Sequence, residues 1–307
     1  MTEILAALVP VFALIAFGHI MRRYQWVDDA FWSPAEKTTF FVFFPALLFA
    51  NTAKADFASI DDLAPMVAAA IIGVLGISAI AVGLRPRLKI DGPAFTSVFQ
   101  GTIRPNVYLG IAACVALYGE AGLTLVSVCV AVLVPLVNVV SVVVLVRHAS
   151  SDGEVPHWGQ TLGPIARNPL ILACAGGALL NVSGYGLPPV IGPFLEILGR
   201  AALPIGLLAV GAGLNLSAMR GVGRLVSLTT VIKLIALPTL TWAACLALGV
   251  DGLAMSVCVL YAALPNSATS YVLARQMGGD TELLASIITA TTLFAMLTMP
   301  AAVLLLP

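Results

Sequence analysis

The sequence predicts an all-α polytopic membrane protein of ten transmembrane helices, arranged as an inverted repeat of five plus five in which helices four and nine are broken. Three observations predict it. Hydrophobic residues make up 60% of the 307-residue chain and charged residues 10%, with a mean hydropathy of +1.03, well outside the range of soluble globular domains. A helix needs roughly 20 apolar residues to cross a bilayer, and the chain holds about ten such runs. Two Pro-Asn pairs, Pro105-Asn106 and Pro265-Asn266, interrupt runs that would otherwise stay helical.

The predicted spans are about 3–21, 33–52, 63–84, 94–118, 122–147, 164–182, 188–214, 222–248, 252–275 and 281–306. Arg22 and Arg23 follow the first apolar run instead of preceding it, so that run is expected to be a retained first span and not a cleaved signal peptide. The loops after spans one, three, five, seven and nine carry Arg22, Arg23, Arg85, Arg87, Lys89, Arg147, Arg220, Arg224 and Arg275. The opposite loops hold Lys54 against Asp56, Asp61, Asp62, Glu120 and Asp251. Positive loops stay cytoplasmic, which places both termini on the non-cytoplasmic side of a plasma (inner) membrane. The polar loop from Arg147 to Gly163, with Ser150-Ser151-Asp152-Gly153-Glu154 in it, divides the chain into residues 1–147, a cytoplasmic linker 148–163, and residues 164–307.

The two halves match at a nearly constant offset. Pro10 and Pro169, and Pro45 and Pro204, are each 159 apart, while Pro105 and Pro265, and Asn106 and Asn266, are each 160 apart. Each half has an odd number of spans, so the second half enters the membrane inverted, the arrangement in which substrate sites lie at the midplane between repeats.

Proline removes a backbone donor and clashes with the preceding turn, and asparagine bonds locally to backbone in competition with helix. In lipid, freed backbone groups cost several kcal/mol each, so a break survives only where protein or a water-filled cavity satisfies it. Paired breaks in two repeats point to a transporter's binding site. The half-helix ends at Asn106 and Asn266 each present about half a positive charge, and Arg104 adds a whole one with a fork that matches carboxylate. Position 264, the counterpart of Arg104, is leucine, so this arginine breaks the pseudo-symmetry. An arginine at depth costs about 2.5–3.5 kcal/mol on insertion scales and is a functional hypothesis by default. Two roles fit Arg104: contact with an anion, or capping of the first half-helix. Two roles likewise fit the asparagines: contact with substrate, or satisfaction of the broken backbone.

Other residues join the candidate substrate site: Pro105, Tyr108, Pro265, Ser267 and Asn51. Candidates for coupling or gating are Lys233, deep in span eight with no obvious mate, and the i,i+4 pair Glu196 and Arg200, expected to neutralise each other. Asn138 and Ser141 in span five and Gln100 in span four either line a cavity or bond neighbouring helices. Tyr108 and Tyr271 flank the breaks and either stack on substrate or pack. Cys114, Cys129, Cys174, Cys245 and Cys258 lie in apolar runs without C-x-x-C spacing and read as small core residues. His19, His148 and His157 sit at or beyond span ends and form no metal cluster; neither metal nor cofactor is expected. The zero net charge excludes an obvious nucleic-acid binder.

Phe44-Pro-Ala-Leu-Leu-Phe, Arg104-Pro-Asn-Val-Tyr-Leu-Gly, Asn168-Pro, Ala201-Ala-Leu-Pro-Ile-Gly-Leu-Leu and Leu264-Pro-Asn-Ser-Ala together resemble the auxin efflux carrier family, along the whole length of the chain. That family holds plant PIN-FORMED hormone exporters and bacterial carriers of malonate, malate and similar acids. By its length the chain looks closer to the bacterial carriers. The resemblance implies ten helices, a scaffold and oligomer surface from helices one, two, six and seven, and a mobile transport unit from helices three to five and eight to ten. It also implies that broken helices four and nine cross, and a homodimer with elevator-like alternating access. The family often has Arg-Ser-Asn where this chain has Arg104-Pro105-Asn106, a change that reinforces the break.

The expected function is therefore secondary transport of small organic anions, carboxylates such as malonate, malate or auxin-like acids. The alternative is a sodium- or proton-coupled transporter of cations or bile acids with the same crossed-helix plan. Cation binding would want carboxylates beside the breaks, and none occurs near residues 104–106 or 264–266. Sodium held by neutral oxygens of Asn138, Ser141, Ser267 or Thr269 stays open. An intramembrane enzyme would need a Ser–His or paired-Asp constellation at depth, which the sequence lacks.

Overall fold

A computed structural model describes residues 2–55, 63–149, 167–217 and 223–305. The linker beyond Ala149, with Asp56, Asp61, Asp62 and Arg220, lies outside the described residues. Among the described residues the regular structure is helical apart from one isolated bridge, and six segments are long and apolar enough to cross a membrane. Large apolar side chains such as Leu179, Val182, Ile197 and Leu297 stand exposed along these helices, as befits a surface whose solvent is lipid.

The helices in chain order are α1 (Thr2–Arg23), α2 (Asp29–Thr38), α3 (Phe44–Lys54), α4 (Leu63–Leu88), α5 (Gly92–Ile103), α6 (Val107–His148) and α7 (Pro169–Ser183). They continue as α8 (Ile191–Arg200), α9 (Ala202–Ala212), α10 (Arg224–Val231), α11 (Leu237–Ala247), α12 (Gly252–Ala262), α13 (Thr269–Met277) and α14 (Thr281–Leu305). Two π-turns, Thr39–Phe43 and Ile232–Ala236, join α2 to α3 and α10 to α11. Each widens the helix immediately before a proline. Phe44 N–H reaches back to Thr39 O ahead of Pro45, and Leu237 N–H to Ile232 O ahead of Pro238. A wide turn shifts the hydrogen-bond register by one residue, so the helix passes the missing proline donor without breaking. The 42-residue α6 is interrupted at Gly119, whose φ of 61° is left-handed, where the sequence predicts the turn between spans four and five.

The chain divides into two compact units. One comprises Met1–Leu63, Tyr108–Val132 and Ala166–Gly213. Its core is α1 against α9 and α3 against α7 and α8. The first pair is glycine-matched in both directions. A Cβ on Gly18 would lie 2.1 Å from Leu208 O, and one on Gly211 would lie 1.7 Å from Ile15 O, so these backbones touch. Arg22 Nη1 donates to Ala212 O at 2.8 Å, capping the end of α9, and Asn181 Nδ2 donates to Ala53 O and Ala55 O at the end of α3.

The other unit comprises Ala64–Val107, Leu133–Ile165 and Leu214–Pro307. Asp91 caps α5 through Ala94 N–H, and Asp280 caps α14 through Leu283 N–H. Ser97 Oγ donates to Asp280 O at 2.8 Å, tying the start of α5 to the start of α14. Gly92 has no room for a side chain, since its Cβ would fall 1.7 Å from His148 O. Asp91-Gly92 and Asp251-Gly252 recur 160 residues apart and both precede a helix that ends at a break. That pair extends the repeat. All five cysteines are buried free thiols, which places them in the packing as expected.

Candidate functional site

Both breaks fall within the second unit, and their backbones pair. α5 ends at Ile103, and Arg104 N–H makes the last helical bond, to Gln100 O at 3.1 Å. Arg104 then turns extended (φ −77°, ψ 119°), the conformation that a following proline enforces. Asn106 N–H donates to Pro265 O at 2.9 Å, and Pro105 and Asn266 form an antiparallel bridge. The second break runs from Ala263 to Ala268 before α13 begins at Thr269.

Asn266 organises this second break. Its N–H donates to Thr291 Oγ1 at 3.1 Å, and its Oδ1 accepts from Ser267 N–H at 2.6 Å and Ser270 Oγ at 2.7 Å. Ser267 Oγ in turn accepts from Thr269 N–H at 3.3 Å. Several amides expected to stand open toward a ligand are therefore taken up internally: Asn106 N–H by Pro265, and those of Asn266, Ser267 and Thr269 by side-chain oxygens. This corrects the picture of two bare helix ends. What remains is Asn266 Nδ2, which is buried and has no partner among the described residues.

Arg104 is 6% exposed. Its Nη2 donates to Thr269 Oγ1 at 3.2 Å, while Nε and Nη1 are buried without a partner. The described ion pairs are Arg22–Asp29 and Lys54–Glu196, and neither involves this residue. The described carboxylates of this unit, Asp91, Asp251, Asp280 and Glu282, all sit at helix ends. This buried guanidinium has one neutral acceptor, and two of its donors have no partner among the described residues. The capping role finds no support in its side-chain contacts, because its partner is a hydroxyl on α13 and not a carbonyl of α5.

The predicted residues sort by unit. Arg104, Pro105, Asn106, Pro265, Asn266 and Ser267 come together at the crossover. Gln100 and Ser141 are fully buried in the same unit with unpartnered polar atoms, and Asn138 is half-buried on α6. Lys233 is fully buried in the second π-turn, its Nζ without a partner. Tyr271 is partly exposed on α13. Asn51 and Tyr108 belong to the first unit. There Asn51 Oδ1 accepts from Thr124 Oγ1 at 3.2 Å, and the Tyr108 ring stacks on Phe44 at 4.5 Å, so packing is the role the structure gives this tyrosine. The expected Glu196–Arg200 pair is corrected: the Glu196 carboxylate bonds Lys54 of α3, because α8 packs against α3 and brings that ammonium closer than its own next turn. Sequence reasoning missed Thr291 and the role of Thr269 toward Arg104. The one available signal was the run of threonines, Thr289, Thr291 and Thr292, in an otherwise apolar helix.

Residues 159–303 match the family described as membrane transport protein. The match spans 145 of the 307 residues, just under half of the chain. The match covers the repeat that contains the second break, and it bears out the auxin-efflux-carrier resemblance drawn from the motifs. Over 292 residues, 94% of each chain, the protein is 24% identical to an uncharacterized transporter of Methanothermobacter thermautotrophicus. It is a multi-pass membrane transporter and not an enzyme.

Proposed function

We propose that this protein is a secondary transporter of small organic anions, whose carboxylate binds at the crossover between Arg104 and Asn266 Nδ2. The observation that carries the reading is the Arg104 guanidinium, buried, with no carboxylate partner among the described residues and two donors idle. An anion supplies the missing charge, and the Arg104–Thr269 bond orients the fork toward it. Binding a carboxylate against a positive site lowers the electrostatic cost of carrying both through a low-dielectric interior. The wider plan proposed here has ten spans as an inverted five-plus-five repeat, both termini outside the cytoplasm of a plasma (inner) membrane, and a homodimer. In it the crossover unit carries the acid in an elevator-like alternating-access cycle.

Thermal stabilisation tests the reading directly, because a ligand that binds the folded state raises its melting point by mass action. Purified protein is melted with acetate, propionate, malonate, malate and indole-3-acetate, with and without sodium, as wild type and as Arg104→Ala. A shift with one acid class that the variant loses supports the proposal. A shift with sodium alone, or an acid shift that Arg104→Ala retains in full, refutes it.

A further inference from the structure

One end of the second unit gathers cations that the site described above does not use. α4 ends in Arg85, Arg87 and, one residue beyond the helix, Lys89, while α6 ends in Arg147 and His148. These ends meet around the start of α5. The Arg85 guanidinium lies over the ring of Phe95 at 5.3 Å, and the His148 ring stands edge-on to that same buried ring at 5.2 Å. A Cβ on Gly92 would fall 1.7 Å from His148 O, so the start of α5 and the end of α6 touch at backbone level. The Arg85 and Arg147 charges both act on the His148 ring. The two chain ends therefore share one corner.

The charges of this corner are not paired off within the described residues. Asp91, Asp280 and Glu282 lie at the same end, where Asp91 and Asp280 cap α5 and α14. The described ion pairs, Arg22–Asp29 and Lys54–Glu196, involve none of these carboxylates and none of these cations. Arg87, Lys89 and Arg147 are exposed. Like charges gathered at one corner repel, and an anion seated among them relieves that repulsion.

The lie of α4 says which anion. This helix is long and apolar enough to cross a membrane, and its Leu75, Ile80 and Val82 stand exposed. Ile80 and Arg87 are seven residues apart, two helical turns, so Arg87 continues the face that meets lipid tails. Past the last apolar turn of such a face lies the headgroup layer, where clustered Lys and Arg meet lipid phosphate.

We infer that this corner is a binding site for the phosphate headgroup of an anionic phospholipid, held by Arg85, Arg87 and Arg147. The Phe95 ring fixes the plane of the Arg85 guanidinium, so its N–H fork is ordered before the phosphate arrives. Arg87 reaches the phosphate from the lipid-facing side of α4 and Arg147 from α6, and Lys89 adds a point charge. A lipid held this way ties the ends of α4 and α6 together.

The test is lipid binding to the full chain in detergent, read by native mass spectrometry. The probes are phosphatidylglycerol, phosphatidylcholine with the same acyl chains, and glycerol 3-phosphate as the soluble phosphate. They are applied to wild type, to Arg85→Gln/Arg147→Gln, and to Arg23→Gln/Arg167→Gln, which removes the same charge from the first unit. The readout is the ratio of phosphatidylglycerol to phosphatidylcholine affinity within each protein, which does not depend on how much of it folds. Wild type is expected to prefer phosphatidylglycerol, the corner variant to lose about tenfold to thirtyfold of that preference, and the control variant to keep it. Glycerol 3-phosphate should not displace the lipid at equal concentration. Equal binding of the two lipids by wild type overturns the inference, as does a corner variant with the wild-type ratio or a control variant with the same loss. Displacement by glycerol 3-phosphate at equal concentration assigns the corner to a soluble phosphate and overturns the lipid as its occupant.

Discussion

Asn106 N–H and Pro265 O lie 2.9 Å apart, so two chain interruptions 160 residues distant in sequence satisfy one another. A lone break at this depth would leave donors and acceptors orphaned in a medium that offers no water. With the breaks paired, the side-chain donors Arg104 Nε and Nη1 and Asn266 Nδ2 have no partner among the described residues.

Replacing Asn266 with aspartate separates architecture from binding. The aspartate keeps the acceptor used by Ser267 N–H and Ser270 Oγ, but it sets a negative charge where Nδ2 would meet a carboxylate. Asn266→Asp is expected to yield folded protein that no acid stabilises. Asn266→Ala removes the acceptor and should lower stability by about 1–3 kcal/mol. Melting curves with and without acid read both effects.

Thr269 orients Arg104, and its contribution should be graded. Thr269→Val deletes the hydroxyl and releases Nη2 without removing the charge. Acid affinity is expected to fall by several-fold, less than in Arg104→Ala, which also loses the charge. Binding isotherms on the two variants give the order; equal losses would contradict an orienting role.

Gly211 and Gly18 bring α1 and α9 into backbone contact, and neither tolerates a methyl group. With a Cβ only 1.7 Å from Ile15 O, Gly211→Ala forces the helices apart and should cost about 1–3 kcal/mol or more. Unfolding midpoints in detergent check it. Gly83, whose Cβ would meet nothing within 4 Å, is the matched control and should be neutral or slightly stabilising as alanine.

The Lys54–Glu196 pair is half exposed on both sides and is screened accordingly. Glu196→Gln is expected to leave both the melting point and acid uptake at wild-type values. A large loss of uptake with unchanged stability would restore Glu196 as a gating residue.

The helical segments and both breaks were legible because lipid forces every backbone group to find a partner, so proline-asparagine pairs inside apolar runs have few structural meanings. The near-constant offset between the halves was legible because proline is positionally strict, and Pro45 and Pro204 each follow an interruption, the π-turn in one half and the α8–α9 junction at Ala201 in the other. Thr291 was not legible. Its role depends on a bond to Asn266, 25 residues away, and a threonine in a membrane helix ordinarily bonds its own preceding turn, as Thr292 does to Ile288 O. Glu196 misled for the converse reason: i,i+4 spacing on one helix is visible in sequence, whereas the nearer Lys54 comes from another helix.

By itself, then, the sequence determined that this chain is a helical membrane protein, that both proline-asparagine pairs interrupt helices, and that one arginine sits at a break with leucine at the matching position of the other half. These follow from hydropathy, loop charge and the covalent constraint of proline, all local properties. Only the tertiary structure decided that the breaks pair with each other, that their amides are largely consumed in doing so, and that Arg104 is left with one hydroxyl and no carboxylate among the described residues. Those outcomes depend on which helices lie side by side, and packing across 160 residues leaves no periodic trace in the chain.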